Sequence, residues 1–143
     1  MPEFKGLSHV AIAVPDLEKA IDRLASVYGL EAGEIHENPE QGVRLTYVDL
    51  GNSQIELIQP TRAEGPIAAF IEKHPAGGLH HVSLFVDDVP IALDDLAGRD
   101  VSLIGGGRIG SNAHGQAIAF VHPKSFLGAL LEVEESPPSA KEE

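Results

Sequence analysis

Gly6-Leu7-Ser8-His9-Val10-Ala11-Ile12-Ala13-Val14-Pro15-Asp16-Leu17 decides how this chain is read, because the sequence says it twice. The second version is Gly78-Leu79-His80-His81-Val82-Ser83-Leu84-Phe85-Val86-Asp87-Asp88-Val89. In that register Gly6 meets Gly78, Leu7 meets Leu79, His9 meets His81, Val14 meets Val86 and Asp16 meets Asp88. It continues into the next segment, where Ala20 meets Ala92 and Leu24 meets Leu96. A long period seen only twice indicates a duplicated module rather than a solenoid of short repeats.

Working outward, residues 7 to 14 alternate as a half-buried strand does. Val10, Ile12 and Val14 share one face, which should pack on a helix. His9, Ala11 and Ala13 share the other. Asp16 then caps a helix bearing Leu17, Ala20, Ile21, Leu24 and Val27, with Gly29 as its stop. A second strand is expected within Ala32 to Glu37, followed by the turn Asn38-Pro39-Glu40-Gln41-Gly42. Val43 to Leu50 and Gln54 to Gln59 read as strands across the tight reversal Gly51-Asn52-Ser53. Ile55 and Leu57 share a face in the second of these, and Glu56 takes the other.

Pro66 suits the first turn of a short helix with Ile67, Phe70 and Ile71 on its buried stripe. The plan then repeats. Leu79 to Val86 is a strand with His81, Ser83 and Phe85 away from the helix that Asp88 caps. Val101 to Ile104 is expected as a strand, followed by a Gly-rich loop from Gly105 to Gly115. Gln116 to Val121 and Ala129 to Glu134 form a hairpin, with Glu132 opposite Leu131 and Val133. Each half therefore reads β-α-β-β-β, with one helix-covered face and one bare face that holds the polar residues.

The fold class is α+β: two paired βαβββ modules forming a curled eight-stranded sheet around a cleft. We expect one domain over residues 1–143, with module one at about 5–60 and a connector at 61–77. Module two covers about 78–135, and residues 136–143 read as a disordered, Pro-interrupted tail.

Composition narrows the function. The chain is 43% apolar and 22% charged, an ordinary globular balance. No apolar run is long enough to cross a bilayer, and the start lacks a secretory pattern, so a cytoplasmic protein is expected. A net charge of −12 argues against nucleic-acid binding, which needs clustered Lys and Arg. With no cysteine, any metal must be held by His, Asp, Glu or amide oxygens.

Both halves supply a His on the first strand and a Glu on the last. Pairing the modules would aim His9, Glu56, His81 and Glu132 into one cleft. Two imidazoles and two carboxylates suit a borderline divalent ion such as Co, Mn, Ni, Zn or Fe, and their charges cancel once it binds. His80 is the rival to His81, but the repeat register and strand parity select His81 and leave His80 a supporting role. His36, His74, His114 and His122 have no partner in the repeat and read as surface or loop residues, with His114 in a Gly-flanked loop able to close over a ligand. Gly105-Gly106-Gly107 lacks the Gly-Lys-Ser/Thr ending of a phosphate loop.

With these residues in place the chain resembles the vicinal oxygen chelate (glyoxalase/bleomycin-resistance/dioxygenase) superfamily, and within it the methylmalonyl-CoA epimerases. The narrower resemblance rests on Asn38-Pro39-Glu40-Gln41-Gly42-Val43, on Leu50-Gly51-Asn52 leading to Ile55-Glu56-Leu57, and on Pro66-Ile67-Ala68 through His81. Arg108-Ile109-Gly110, Ala113-His114-Gly115 and His122-Pro123-Lys124-Ser125 leading to Leu131-Glu132 complete it. It implies a metal-dependent epimerase of methylmalonyl-CoA, cobalt foremost among its ions (Mn, Ni or Zn besides), working as a homodimer. It implies His9, Glu56, His81 and Glu132 as metal ligands, with Glu132 also the base that takes the C2 proton. Lys124, Arg108 and His114 are the candidates for contacting acyl-CoA.

Three departures stand out. Some members carry Gln where this chain has Glu56. Some carry a Glu, proposed as a second base, where this chain has Leu45, so that return of the proton from the opposite face falls to Glu56, water or His114. Ser111-Asn112 is an apparent insertion in the loop before Ala113-His114-Gly115. Two other functions share the scaffold: a glyoxalase I-type lactoylglutathione lyase, and a non-catalytic small-molecule-binding protein. A dioxygenase fits less well, since iron there takes two His and one carboxylate.

Overall fold

In the computed structural model residues 1–138 are described. They contain eight strands and three α-helices: β1 (Phe4–Ala13), α1 (Leu17–Tyr28), β2 (His36–Asn38), β3 (Val43–Asp49), β4 (Gln54–Pro60), α2 (Pro66–Lys73), β5 (Gly78–Val86), α3 (Val89–Ala97), β6 (Gly110–Ser111), β7 (Ala117–Val121) and β8 (Leu130–Glu135). The class is α+β, and the order β-α-β-β-β occurs twice, as the repeat requires. The chain divides into two compact units, residues 9–80 and residues 1–8 with 81–143. Residues 61–77 fall within the first of these units, and residues 1–8 within the second.

In the first unit the strand order is β2-β3-β4-β1, with β1 and β4 parallel and the rest antiparallel. Asp16 begins α1 because its carboxylate accepts the Lys19 N–H at 3.0 Å. Gly29 ends it in the left-handed region at φ 68°. Leu17 N–H donates to Gln59 Oε1 at 2.8 Å, tying the helix start to the end of β4. Val14, Leu17 and Leu57 form the core on this side, with Ile12, Ala20, Ile21, Leu24 and Ile55 against them. The β-branched face of β1 is the helix-covered one. On the outer rim Arg44 pairs with Glu18, holding that carboxyl below its ordinary range.

The opposite face is not bare throughout. Ala13, Val43, Leu45, Ile58 and Ile67 form a second cluster, backed by Tyr47, Phe70 and Ile71. Ile67, Phe70 and Ile71 come from α2, so that helix lies over one end of the face expected to be open. The expected second strand is also shorter and later: Ala32 makes a lone bridge to Val48, and pairing proper starts at His36. After α2 the chain turns at Gly77, where φ is 89° and an added Cβ would lie 2.5 Å from the Ala13 carbonyl oxygen. No side chain fits there.

The second unit has the order β5-β8-β7-β6, again with the module's first and last strands parallel. Asp88 accepts the Ile91 N–H at 2.9 Å to start α3. Val86, Val89, Ala92, Leu93, Ala119, Val121, Leu131 and Val133 are its core. The strand expected at Val101 to Ile104 is absent. Leu103 makes one bridge to Val121, and a single 3-10 turn, Ile104–Gly106, follows. Gly105, Gly106 and Gly107 all take positive φ, which ends pairing, and the two-residue β6 replaces the expected strand. At the other end Ser136 is buried and donates from Oγ to the Val86 carbonyl at 3.1 Å, so order extends into the expected tail. Residues 139–143 lie outside the described part.

Candidate functional site

Strand parity puts His9 on the face of β1 away from α1, and Glu56 on the matching face of β4. The parallel register pairs Ala11 with Glu56, so His9 lies one inward position along the same face. His9 Nε2 is 3.4 Å from Glu56 Oε1. Tyr47, the cross-strand partner of Glu56 on β3, presents a near-perpendicular ring to His9 at 5.9 Å.

The second unit repeats this arrangement. Ser83 pairs with Glu132, His81 sits one inward position along, and His81 Nε2 is 3.8 Å from Glu132 Oε1. Phe120 is the cross-strand partner of Glu132 on β7 and stands edge-on to His81 at 5.8 Å. A strand geometry that brings a ring against an imidazole thus occurs once per module, with a phenol in one and a phenyl in the other. The repeat in sequence did not reveal these two aromatics, because Tyr47 and Phe120 fall out of register across the unequal hairpins. Cross-strand pairing to the two glutamates is the signal that finds them.

All four polar residues are withdrawn from water: His9 is 4% exposed, Glu56 6%, His81 5% and Glu132 6%. Carboxylates so buried need positive charge or donors near them. The donor set in each module is one imidazole nitrogen and one carboxylate, chemistry that a borderline divalent cation accepts. On that ground the residues fit a metal.

His80, the neighbour of His81, is half-buried on the other parity and meets the edge of Phe70 at 5.2 Å. Burial pushes its pKa below the usual histidine value, against a smaller opposing pull from the Glu56 carboxylate. His74 stacks on Phe70 at 4.3 Å, and the His122 ring accepts the Lys124 N–H at 3.0 Å, so both serve local structure. Lys124, Arg108 and His114 are exposed: Lys124 in the 3-10 turn Pro123–Ser125, Arg108 and His114 on either side of β6. Leu45 is buried in the apolar cluster around Ala13, Ile58 and Ile67. One further acidic residue escaped the sequence reading. Glu134 is buried on the same face of β8 as Glu132, and period-two alternation was the available signal.

The model of the Glyoxalase/Bleomycin resistance protein/Dioxygenase superfamily matches residues 8–120. The ethylmalonyl-CoA/methylmalonyl-CoA epimerase of Cereibacter sphaeroides is 43% identical over 129 residues, which cover 90% of this chain and 96% of that protein. The mitochondrial methylmalonyl-CoA epimerase of Homo sapiens is 43% identical, over 91% of this chain and 73% of its own. Among solved structures, a methylmalonyl-CoA epimerase in complex with methylmalonyl-CoA and an ammonium ion superposes with a TM-score of 0.85. It is 27% identical and covers 95% of this chain and 97% of its own. A selenomethionine methylmalonyl-CoA epimerase gives 0.83 at 32% identity, covering 94% and 97%.

Proposed function

This chain belongs to the glyoxalase/bleomycin resistance protein/dioxygenase superfamily, and we propose that it interconverts the C2 epimers of methylmalonyl-CoA by metal-assisted proton transfer. Epimerases 43% identical over nine-tenths of the chain support the reaction. The observation that carries the mechanism is the doubled motif: a buried imidazole beside a buried carboxylate, at equivalent places in two modules.

His9, Glu56, His81 and Glu132 are the metal ligands of this reading, an imidazole and a carboxylate from each module. Neutral imidazoles and two ionised carboxylates balance the charge of a dication, which makes their burial tolerable. When bound, such an ion supplies Lewis-acid charge for the oxygen that becomes negative as the C2 proton leaves. Glu132 takes that proton, since a carboxylate close to the carbon is the base this chemistry asks for. Leu45 cannot titrate and lies among hydrocarbon, so the return proton from the opposite face falls to Glu56, His114 or water. Arg108 and Lys124 meet the anionic groups of the acyl-CoA.

The same reading includes cobalt as the working ion, a homodimer and a cytoplasmic location. Among the described residues no helix is long and apolar enough to cross a membrane. The decisive experiment is C2 proton–deuterium exchange of methylmalonyl-CoA in heavy water, on chelated protein and after cobalt is restored. We expect exchange only with the ion. Turnover of the methylglyoxal–glutathione hemithioacetal in its place would replace this reading with a glyoxalase.

A further inference from the structure

Glu134 is a buried carboxylate that the proton transfer above does not use. Carboxylates withdrawn from water are held by donors, and the donors here come from distant parts of the chain. Ser8 Oγ on β1 donates to Glu134 Oε1 at 2.6 Å, and Ser83 Oγ on β5 donates to the same oxygen at 2.8 Å. The second oxygen, Oε2, accepts from Asn112 Nδ2 at 3.1 Å. Two strands hold one side of the carboxylate, and a loop residue is held by the other.

Asn112 is also the staple of its own loop. Its Oδ1 accepts the N–H groups of His114 and Gln116, each at 2.9 Å. Its backbone closes the same turn, donating to the Gln116 carbonyl at 2.9 Å and accepting the Gly115 N–H at 3.1 Å. So the tip of the segment between Gly107 and Gln116 is tied to Asn112, and Asn112 is tied to Glu134. That segment carries Arg108 and His114. The chain has only 10 Lys and Arg against 22 Asp and Glu, so where a cation is placed matters to an anionic substrate.

We propose that Glu134 is a positioning residue: through Asn112 it fixes the segment bearing Arg108 and His114 to the sheet face that also bears Glu132, and so sets how the acyl-CoA is held. This rests on the acyl-CoA reading above. It adds a part to Glu134 and Asn112 that proton transfer alone does not give them.

A polarity swap tests it. Asn112→Asp keeps the acceptor for His114 and Gln116 but sets a carboxylate against Glu134. Glu134→Gln keeps the acceptor for both serines but sets an amide donor against that of Asn112. Each single variant mismatches one hydrogen bond, and the double variant restores it with donor and acceptor exchanged. We expect each single change to raise KM for methylmalonyl-CoA about tenfold, with kcat within about threefold. Backbone amides of 113–116 should exchange hydrogen about tenfold faster in each, and both effects should return to within about threefold of wild type in the double.

Losses that add in the double would overturn the proposal, because the two residues would then act independently. Unchanged amide exchange in the singles overturns the tether itself, and faster exchange at wild-type KM overturns its role in holding substrate. A wild type inert toward methylmalonyl-CoA sinks the substrate reading, while amide exchange still reports on the tether. If a single variant does not fold, Asn112→Ala leaves Glu134 with both serine hydroxyls. A raised KM in that variant supports the proposal, and an unchanged KM overturns it.

Discussion

Two residues beyond Glu56 on β4 comes Ile58; two residues beyond Glu132 on β8 comes Glu134. Ile58 lies with Ala13, Leu45 and Ile67 in a dry cluster, whereas Glu134 is hydrogen-bonded by Ser8, Ser83 and Asn112. At the place of Ser83 the first module has Ala11. Histidine, glutamate and edge-on aromatic are kept in both modules; their surroundings have diverged, one toward hydrocarbon and the other toward polar groups. That difference leaves Glu132, the proposed base, beside polar groups and Glu56 beside hydrocarbon.

The strongest way to break that assignment is to neutralise the two glutamates separately. Glu132→Gln should lower kcat by about 10²- to 10⁴-fold, the usual worth of a positioned base, with Glu56→Gln costing less. Deuterium exchange at C2 measures both, and an active Glu132→Gln enzyme removes that residue from the role. Next in size is Leu45→Ala, which empties part of the dry cluster and should destabilise the fold by about 2–5 kcal/mol in urea titrations. A loss under about 1 kcal/mol would mean that the cluster is loosely packed.

Metal sharpens the comparison in both modules at once. Cobalt at about a hundred times its Kd should add about 2.7 kcal/mol of stability, read as a raised Tm. On the proposed ligand set, His9→Ala and His81→Ala should each abolish that increment; retention in either variant would remove that histidine from the set. The smallest effect expected is at the helix caps. Asp16→Ala and Asp88→Ala should each cost about 1 kcal/mol, and nearly equally, because both accept the same N–H three residues on. A large inequality in urea midpoints would show that one helix leans on its cap and the other on its packing.

Much of this was legible in the chain because the signals are local. Asp16 and Gly29 bound α1, and alternation separates His9 from Val10 and Glu132 from Leu131, with no knowledge of the rest. The misjudged segment fails for an equally local reason read too simply. Val101 to Ile104 has the side chains of a strand, but three glycines at positive φ follow and leave it one bridge. The residues that pair instead, Gly110 and Ser111, have no strand propensity and are held there by β7.

By itself the sequence determined the duplication, the helix limits and the face on which each histidine and glutamate lies, because periodicity and capping act over a few residues. Only the tertiary structure decided that α2 covers part of the first module's polar face and that Glu134 is tethered to Asn112. Ser8 stands 126 residues from Glu134 and Asn112 stands 22 away. Contacts of that span leave no periodic mark, because burial, not local preference, is what brings their donors together.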